Sequence, residues 1–264
     1  MEISNAVPVT DSENETNPYV NGDREIAISS SAALEEKVRN TRLFKENTSS
    51  HASFVSHKPV ELFVESSNAC NLRCLMCNLS HNEDVMETPP VSIELIDRMT
   101  DFYPGLLQAH LHGVGEPLLN GKLTEIVRRI RRAGGPVVVD FFTNAMLMDR
   151  NISESLVDAG VDRIVFSIDG ATKETYEAIH RGARWERLHK NLDDLNGVKR
   201  ERGSLYPRLQ INLIAMNMNF HEFPGLVELA ADKGIGRIEV KNLVVADKAP
   251  DEIRRQKRHY DPER

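Results

Sequence analysis

Beyond residue 60 the chain alternates between two hydrophobic periods. Short runs rich in Val, Ile, Leu and Phe, read with period two, predict strands over residues 60–66, 106–112, 136–143, 162–168, 208–216 and 237–242. Between them, apolar residues recur at helical spacing over residues 92–103, 119–133, 152–159, 172–179 with 185–200, and 220–233. Gly134, Gly160 and Gly234 each stand between a helical stretch and the next strand, where a left-handed glycine ends a helix. Six strands alternating with helices predict an α/β fold of parallel βα units with right-handed crossovers.

The polar positions of these strands fall on one side. Period two puts Gln108, His110 and His112 on one face of the second strand, with Leu107, Ala109 and Leu111 on the other. The third strand sets Asp140 and Asn144 against Val137, Val139 and Phe141, and the fourth sets Arg163, Ser167 and Asp169 against Ile164, Phe166 and Ile168. In the fifth, Gln210 and Asn212 oppose Leu209, Ile211 and Leu213; in the sixth, Glu239 and Lys241 oppose Ile238 and Val240. An eight-stranded barrel fills its interior with branched apolar side chains. Here helices can cover the apolar faces, so the polar faces must line something wet or occupied. An incomplete barrel around a ligand-filled cavity meets that requirement. A one-sided sheet with its polar face in solvent is the alternative, although parallel sheets are usually covered on both faces.

The flanks have a different texture. Residues 1–30 carry Glu2, Asp11, Glu13, Glu15, Asp23 and Glu25 against Arg24 alone, and this polar stretch is expected to be a disordered tail. Residues 31–57 are expected to form a short leading helix, over 31–45, and a linker; residues 58–245 form the core. Residues 246–264 begin a further helix and stop, as a domain end or as the start of a longer extension. Composition works mainly by exclusion. A chain of 264 residues, 40% hydrophobic and 28% charged, is ordinary globular protein with room for one large core. The net charge of −7 argues against broad nucleic-acid binding. No apolar run approaches the ~18 residues of a membrane span, and the first residues lack the basic start and apolar stretch of a secretion signal. The expectation is a cytoplasmic protein without a membrane partner, in a reducing compartment that keeps thiols available.

All three cysteines, Cys70, Cys74 and Cys77, fall in one window, SSNACNLRCLMCNLS, directly after the first strand. An odd number cannot be closed by internal disulfides, and three thiolates leave a four-coordinate metal one ligand short. In a parallel fold that loop lies at the C-terminal end of the strands, where ligands usually bind. Thiolates are the standard ligands of iron–sulfur clusters, and three of them hold three irons of a [4Fe–4S] cube and leave the fourth open. A zinc site completed by His81 is the competing reading.

CNLRCLMC resembles the signature of the radical S-adenosylmethionine (radical SAM) superfamily, and the resemblance extends over about residues 58–245. It implies a partial (βα)6 TIM-like barrel, a [4Fe–4S] cluster on Cys70, Cys74 and Cys77, and S-adenosylmethionine on the open iron. Reductive cleavage would then give methionine and a 5′-deoxyadenosyl radical that abstracts a substrate hydrogen. Gly113-Val114-Gly115-Glu116-Pro117 resembles the loop that binds the methionine amino group, with Val114 in place of its first glycine. By the same resemblance Met76 packs near adenine, and Thr143-Asn144, followed by Ala145 where glycine is common, contacts ribose or methionine. Ser167-Ile168-Asp169-Gly170 is close to a frequent S-x-D-G segment, which implies that Ser167 and Asp169 bind ribose and ammonium. Asp169 capping the next helix is the plainer role. Asn212 and Lys241 are weaker candidates for lining the cavity, His110 and His112 read as satisfied cavity histidines, and Arg181 is a candidate for the cofactor carboxylate. The chain looks most like the branch that modifies peptides, proteins and natural products (SPASM-type), here without the auxiliary-cluster cysteines. A GTP cyclase is disfavoured because its second cysteine trio has no counterpart. Implied partners are a one-electron reductant such as flavodoxin or ferredoxin and a peptide or small-molecule substrate. An iron–sulfur electron-transfer or sensing module and a structural zinc protein are the remaining classes.

Overall fold

A computed structural model describes residues 31–81, 88–245 and 249–257; the expected tail at 1–30 and parts of 246–264 lie outside the described residues. Each expected strand is present, the first five trimmed at one or both ends and the sixth with the expected bounds: β1 (Glu61–Phe63), β2 (Gln108–His110), β3 (Val138–Thr143), β4 (Arg163–Ser167), β5 (Arg208–Ala215) and β6 (Arg237–Asn242). They form one parallel sheet in the order β1-β2-β3-β4-β5-β6, with β1 and β6 as its two edges, an open six-stranded barrel wall.

The helices are α1 (Ser31–Ser49), α2 (Ile93–Arg98), α3 (Leu123–Gly134), α4 (Arg150–Ala159), α5 (Lys173–Ile179), α6 (Trp185–Glu201), α7 (Phe223–Asp232) and the short α8 (Asp251–Arg254). The apolar stripe of α3, Leu123, Ile126, Val127 and Ile130, is fully buried against the outside of the sheet. Each such side chain contributes about 1.5–3 kcal/mol of hydrophobic stabilisation. Side chains start three helices: Ser92 Oγ accepts from Leu95 N, Asp149 Oδ1 from Ile152 N, and Thr172 Oγ1 from Thr175 N.

Three expectations are adjusted. The single helix over 92–103 splits into α2 and a 3-10 stretch, Thr100–Gly105, because Pro104 lacks the amide that would continue the helix. Gly160 and Gly234 are left-handed as expected, but α3 runs through Gly134 and ends on Gly135, φ 65°. The leading helix is longer than expected and docks on the barrel. Lys37 donates to the Leu106 carbonyl, and Asn40 Nδ2 to the carbonyls of Lys58 and Gly105, at 3.0 and 3.2 Å. Burial pushes the Lys37 pKa down to about 8.

The polar faces of β2 to β5 turn inward, whereas Lys241 on the edge strand β6 is exposed. Asp140 is completely buried, and His110, Gln210 and Asn212 are more than nine-tenths buried, so the solvated one-sided sheet is excluded.

Candidate functional site

The cysteine loop leaves β1 at the C-terminal mouth of the barrel and is held from three directions. Leu72 and Leu75 bury their side chains, and Arg73 N and Leu75 N donate to the carbonyls of Arg181 and Ile179 at 3.0 and 2.7 Å. Glu116 N donates to the Ala69 carbonyl at 2.8 Å, and Asn120 Nδ2 to the Ser66 carbonyl at 3.0 Å. Gly115 is required by this packing: a Cβ there would meet the Ser67 and Ala69 carbonyl oxygens at 2.3 and 2.5 Å.

This arrangement leaves Cys70, Cys74 and Cys77 as half-buried free thiols. Burial pushes the Cys70 pKa up to about 11, with Glu116, Cys74 and Cys77 adding negative charge nearby. Burial raises Cys77 as well, again with Cys74 contributing. Three half-buried thiols in one loop suit a cationic centre, which would favour their ionised forms and offset that charge. Leu72 N approaches Cys70 Sγ at 3.5 Å, the type of amide contact that iron–sulfur ligands accept. His81, the candidate fourth zinc ligand, has Nε2 2.7 Å from the Leu75 carbonyl.

Behind Cys74 lies a residue that sequence reasoning did not single out. His180 is 1% exposed, with Nδ1 3.3 Å from Cys74 Sγ and Nε2 3.0 Å from Asp169 Oδ2. The Asp169 contact is an ion-pair approach rather than a linear hydrogen bond. Burial opposes charge on this imidazole, but Asp169 and Cys74 outweigh it and push its pKa up to about 10. Asp169 is engaged on its other side too, accepting from Ile214 N at 2.6 Å. It therefore links the end of β4 to β5 and, through His180, to the cysteine loop; the cap of α5 is Thr172. A lone His within YEAIHRGARW carries no signal, since its partner lies 106 residues away.

The neighbouring loops meet at Glu116. Its buried carboxylate accepts from Thr143 Oγ1 (2.8 Å), Asn144 N (2.9 Å) and Leu118 N (3.1 Å), and burial outweighs these bonds to raise its pKa. Pro117 opens the short 3-10 turn that follows. Asn144 Nδ2 in turn donates to Asn71 Oδ1 at 2.9 Å, and Ala145 takes the left-handed conformation, φ 63°. Ser167 lies beside Asn212 across β4 and β5, and Asn212 Oδ1 is a buried acceptor without a hydrogen-bond partner, as is the hydroxyl of Ser67. Met76 packs in a small apolar cluster with Leu75, Ile179, Ile214, Met216 and Leu243. Arg181 does not face this mouth: its guanidinium lies 3.3 Å from Glu252 on α8, both side chains about half exposed.

Below the mouth, the lumen holds a second polar group. Asp140 accepts from His110 Nδ1 (2.7 Å), Gln108 Nε2 (3.0 Å) and Arg163 Nη2. Burial works to raise its pKa, but His110 and Arg163 prevail and hold it below the usual carboxylate range. Phe63 stacks on His110 and Phe142 on His112, at 4.3 and 4.2 Å between centroids. Lys241 Nζ lies 5.3 Å from the centre of the Phe142 ring. The donor atoms of His110, His112 and Asp140 lie within 4.8 Å of one another, close enough for a cation, but Arg163 already neutralises the carboxylate. Among the described residues no helix is long and apolar enough to cross a membrane.

Comparison with known proteins agrees with this geometry. The family model described as the radical SAM superfamily matches residues 64–230. A tungsten-containing aldehyde ferredoxin oxidoreductase cofactor-modifying protein of Pyrococcus furiosus is 26% identical over 190 residues, 69% of this chain and 51% of that protein. A GTP 3′,8-cyclase of Chlorobaculum tepidum is 33% identical over 175 residues, 64% of this chain and 49% of that one. The chain thus spans about half the length of the curated relatives it matches. In fold it is similar to Streptococcus suis SuiB bound to S-adenosylmethionine, with a TM-score of 0.62, 23% identity, and coverage of 86% of this chain and 49% of SuiB. It is also similar to anSMEcpe with bound AdoMet, with a TM-score of 0.58, 19% identity, and coverage of 71% and 52%. Members of this family are enzymes that use a [4Fe–4S] cluster and S-adenosylmethionine. With a parallel open barrel, three thiols at its mouth and a family match over most of its core, the chain belongs to the radical SAM superfamily.

Proposed function

We propose that this chain is the radical-generating core of an enzyme that abstracts a hydrogen atom from a peptide or small-molecule substrate. Cys70, Cys74 and Cys77 hold the cluster, and S-adenosylmethionine lies between the loops that follow β2, β3, β4 and β5. When bound, the pair supplies reductive C–S cleavage, giving methionine and a 5′-deoxyadenosyl radical for hydrogen abstraction. A one-electron reductant such as flavodoxin or ferredoxin completes the chemistry.

The observation that carries this reading is the set of three half-buried free thiols in one loop at the barrel mouth, beside buried acceptors that lack partners. In this proposal the chain's own groups bind and orient. Glu116 and Pro117 fix the loop after β2, so that its backbone around Gly115 presents to the ammonium group. Glu116 also holds Thr143 and Asn144 in place through the bonds described above. Ser167 and Asn212 offer oxygen acceptors to ribose hydroxyls, which would satisfy the unpartnered Asn212 Oδ1. Met76, with Ile214 and Met216, offers an apolar surface for the adenine ring. Asp169 acts from behind, through His180 and the β5 backbone, without touching the nucleotide.

The substrate class rests on the relatives. One is named for modifying an enzyme's cofactor, others for cyclising GTP, and SuiB has been crystallised with the precursor peptide SuiA. We place the substrate in the lumen, where Gln210 Oε1 is a further buried acceptor without a partner. That favours a ligand presenting amide or hydroxyl donors, in peptide maturation or in natural-product or cofactor biosynthesis. The test is anaerobic reconstitution with iron and sulfide, followed by reduction with S-adenosylmethionine present. About four irons per chain and 5′-deoxyadenosine in the product mixture are expected; zinc in place of iron, or iron without deoxyadenosine, contradicts the proposal.

A further inference from the structure

We propose that His180 is a positioning residue that sets the reduction potential of the cluster by donating a hydrogen bond from Nδ1 to the Cys74 sulfur. The inference rests on the reading of the three cysteines as cluster ligands. What carries it is how fully the imidazole is fixed in place. Its own amide donates to the Tyr176 carbonyl at 2.8 Å, and the carbonyls on either side, Ile179 and Arg181, receive Leu75 N and Arg73 N from the cysteine loop. The ring packs on Tyr176, with centroids 4.8 Å apart, and Asp169 approaches its far nitrogen at 3.0 Å. Asp169 is itself anchored: its carboxylate accepts from Ile214 N, and its carbonyl accepts from Asn219 Nδ2 at 2.9 Å. The ring has little freedom to turn, and its remaining nitrogen points at sulfur.

Reduction adds negative charge that is shared with the ligand sulfurs. A donor aimed at one of them stabilises the reduced state more than the oxidised one and raises the potential. Among the three sulfurs only Cys74 has an imidazole contact in the described residues; Cys70 has the Leu72 amide and a distant approach from Asn144 Nδ2 at 4.0 Å, and Cys77 has the backbone amides of Leu79 and Ser80. His180 therefore makes the three ligands electronically unequal, with Asp169 orienting it.

The test compares His180→Asn, whose amide nitrogen can take the place of Nδ1, with His180→Leu, which fills similar space without a donor. The double variant Asp169→Asn/His180→Leu removes the carboxylate that Leu would leave facing an apolar group. Each protein is reconstituted anaerobically, and the midpoint potential is measured without S-adenosylmethionine. Resonance Raman in H2O and D2O supplies a second readout, the deuterium sensitivity of the Fe–S(Cys) bands. The expected result is a potential near wild type in His180→Asn, a more negative one in both Leu variants, and a reduced deuterium sensitivity only in the latter, where the backbone amides at Cys70 and Cys77 still exchange. Coincident potentials across the set overturn the proposal while leaving the cluster assignment intact. A wild-type protein that assembles no cluster removes the assignment and this inference together.

Discussion

The barrel contains two buried polar groups, one at its mouth and one in its lumen, and they are finished to different degrees. In the lumen, Asp140 collects His110, Gln108 and Arg163, so the charge of this cluster is met within the protein, while Gln210 Oε1 and His112 Nδ1 in the same lumen keep no partner and leave room for a ligand. At the mouth, Cys70 and Cys77 are raised by burial and by neighbouring negative charge, and Ser67 and Asn212 keep unpartnered oxygens. A buried network that is internally satisfied stabilises a fold, and one that is not marks where something else binds. Polarity inside a barrel is thus not itself a sign of a site; incompleteness is.

The largest expected effect comes from breaking the unfinished group. Cys74→Ala should abolish both cluster assembly and 5′-deoxyadenosine formation while the fold persists, read by iron content, product analysis and circular dichroism. Retained turnover would remove Cys74 from the ligand set. Gly115→Val comes next. A Cβ at 2.3 Å from the Ser67 carbonyl oxygen must displace the cysteine loop, so most of the bound iron should be lost, not only cofactor affinity. Normal iron content in this variant would show that the loop tolerates the displacement.

The finished group should respond in the opposite currency, stability without chemistry. Asp140→Asn leaves Arg163 without its buried carboxylate partner and should cost roughly 3–5 kcal/mol in urea unfolding, with iron binding retained. The folded pKa of Asp140 lies below its unfolded value near 3.9. Its contribution is therefore fully present above about pH 4 and is lost as pH falls through the folded value. Asp140→Asn should accordingly flatten the acid limb of the stability curve. The smallest effect is expected at Ala145, whose left-handed backbone costs an L residue about 1–2 kcal/mol. Ala145→Gly relieves that cost but loses a buried methyl worth about 0.8 kcal/mol. A shift of the urea midpoint equivalent to less than about 1 kcal/mol, upward, is the expected reading.

The fold was legible because its signal is local. Alternation within six residues is enough to assign Val138–Thr143 to a strand and to send Asp140 inward. Adjacent glycines were less legible, since Gly134 and Gly135 answer different demands. A Cβ on the first would strike Val137 Cγ2 at 2.7 Å, whereas the second needs a positive φ. Composition cannot tell a packing glycine from a conformational one. In the mouth, the cysteines announced themselves by their spacing. Asp169 stands out in its S-x-D-G segment, but its direction does not, because Ile214 and His180 approach it from other elements. Contacts between residues far apart in sequence leave no periodicity to read.

The pairing of Arg73 and Leu75 with Arg181 and Ile179 sets a timetable for maturation. The socket is stitched from two segments that emerge from the ribosome roughly a hundred residues apart. Until the turn after α5 has been made, Cys74 has no wall behind it and the loop has no second edge. Metal delivery to a nascent chain would meet loose thiols; delivery after that turn would meet a shaped receptacle.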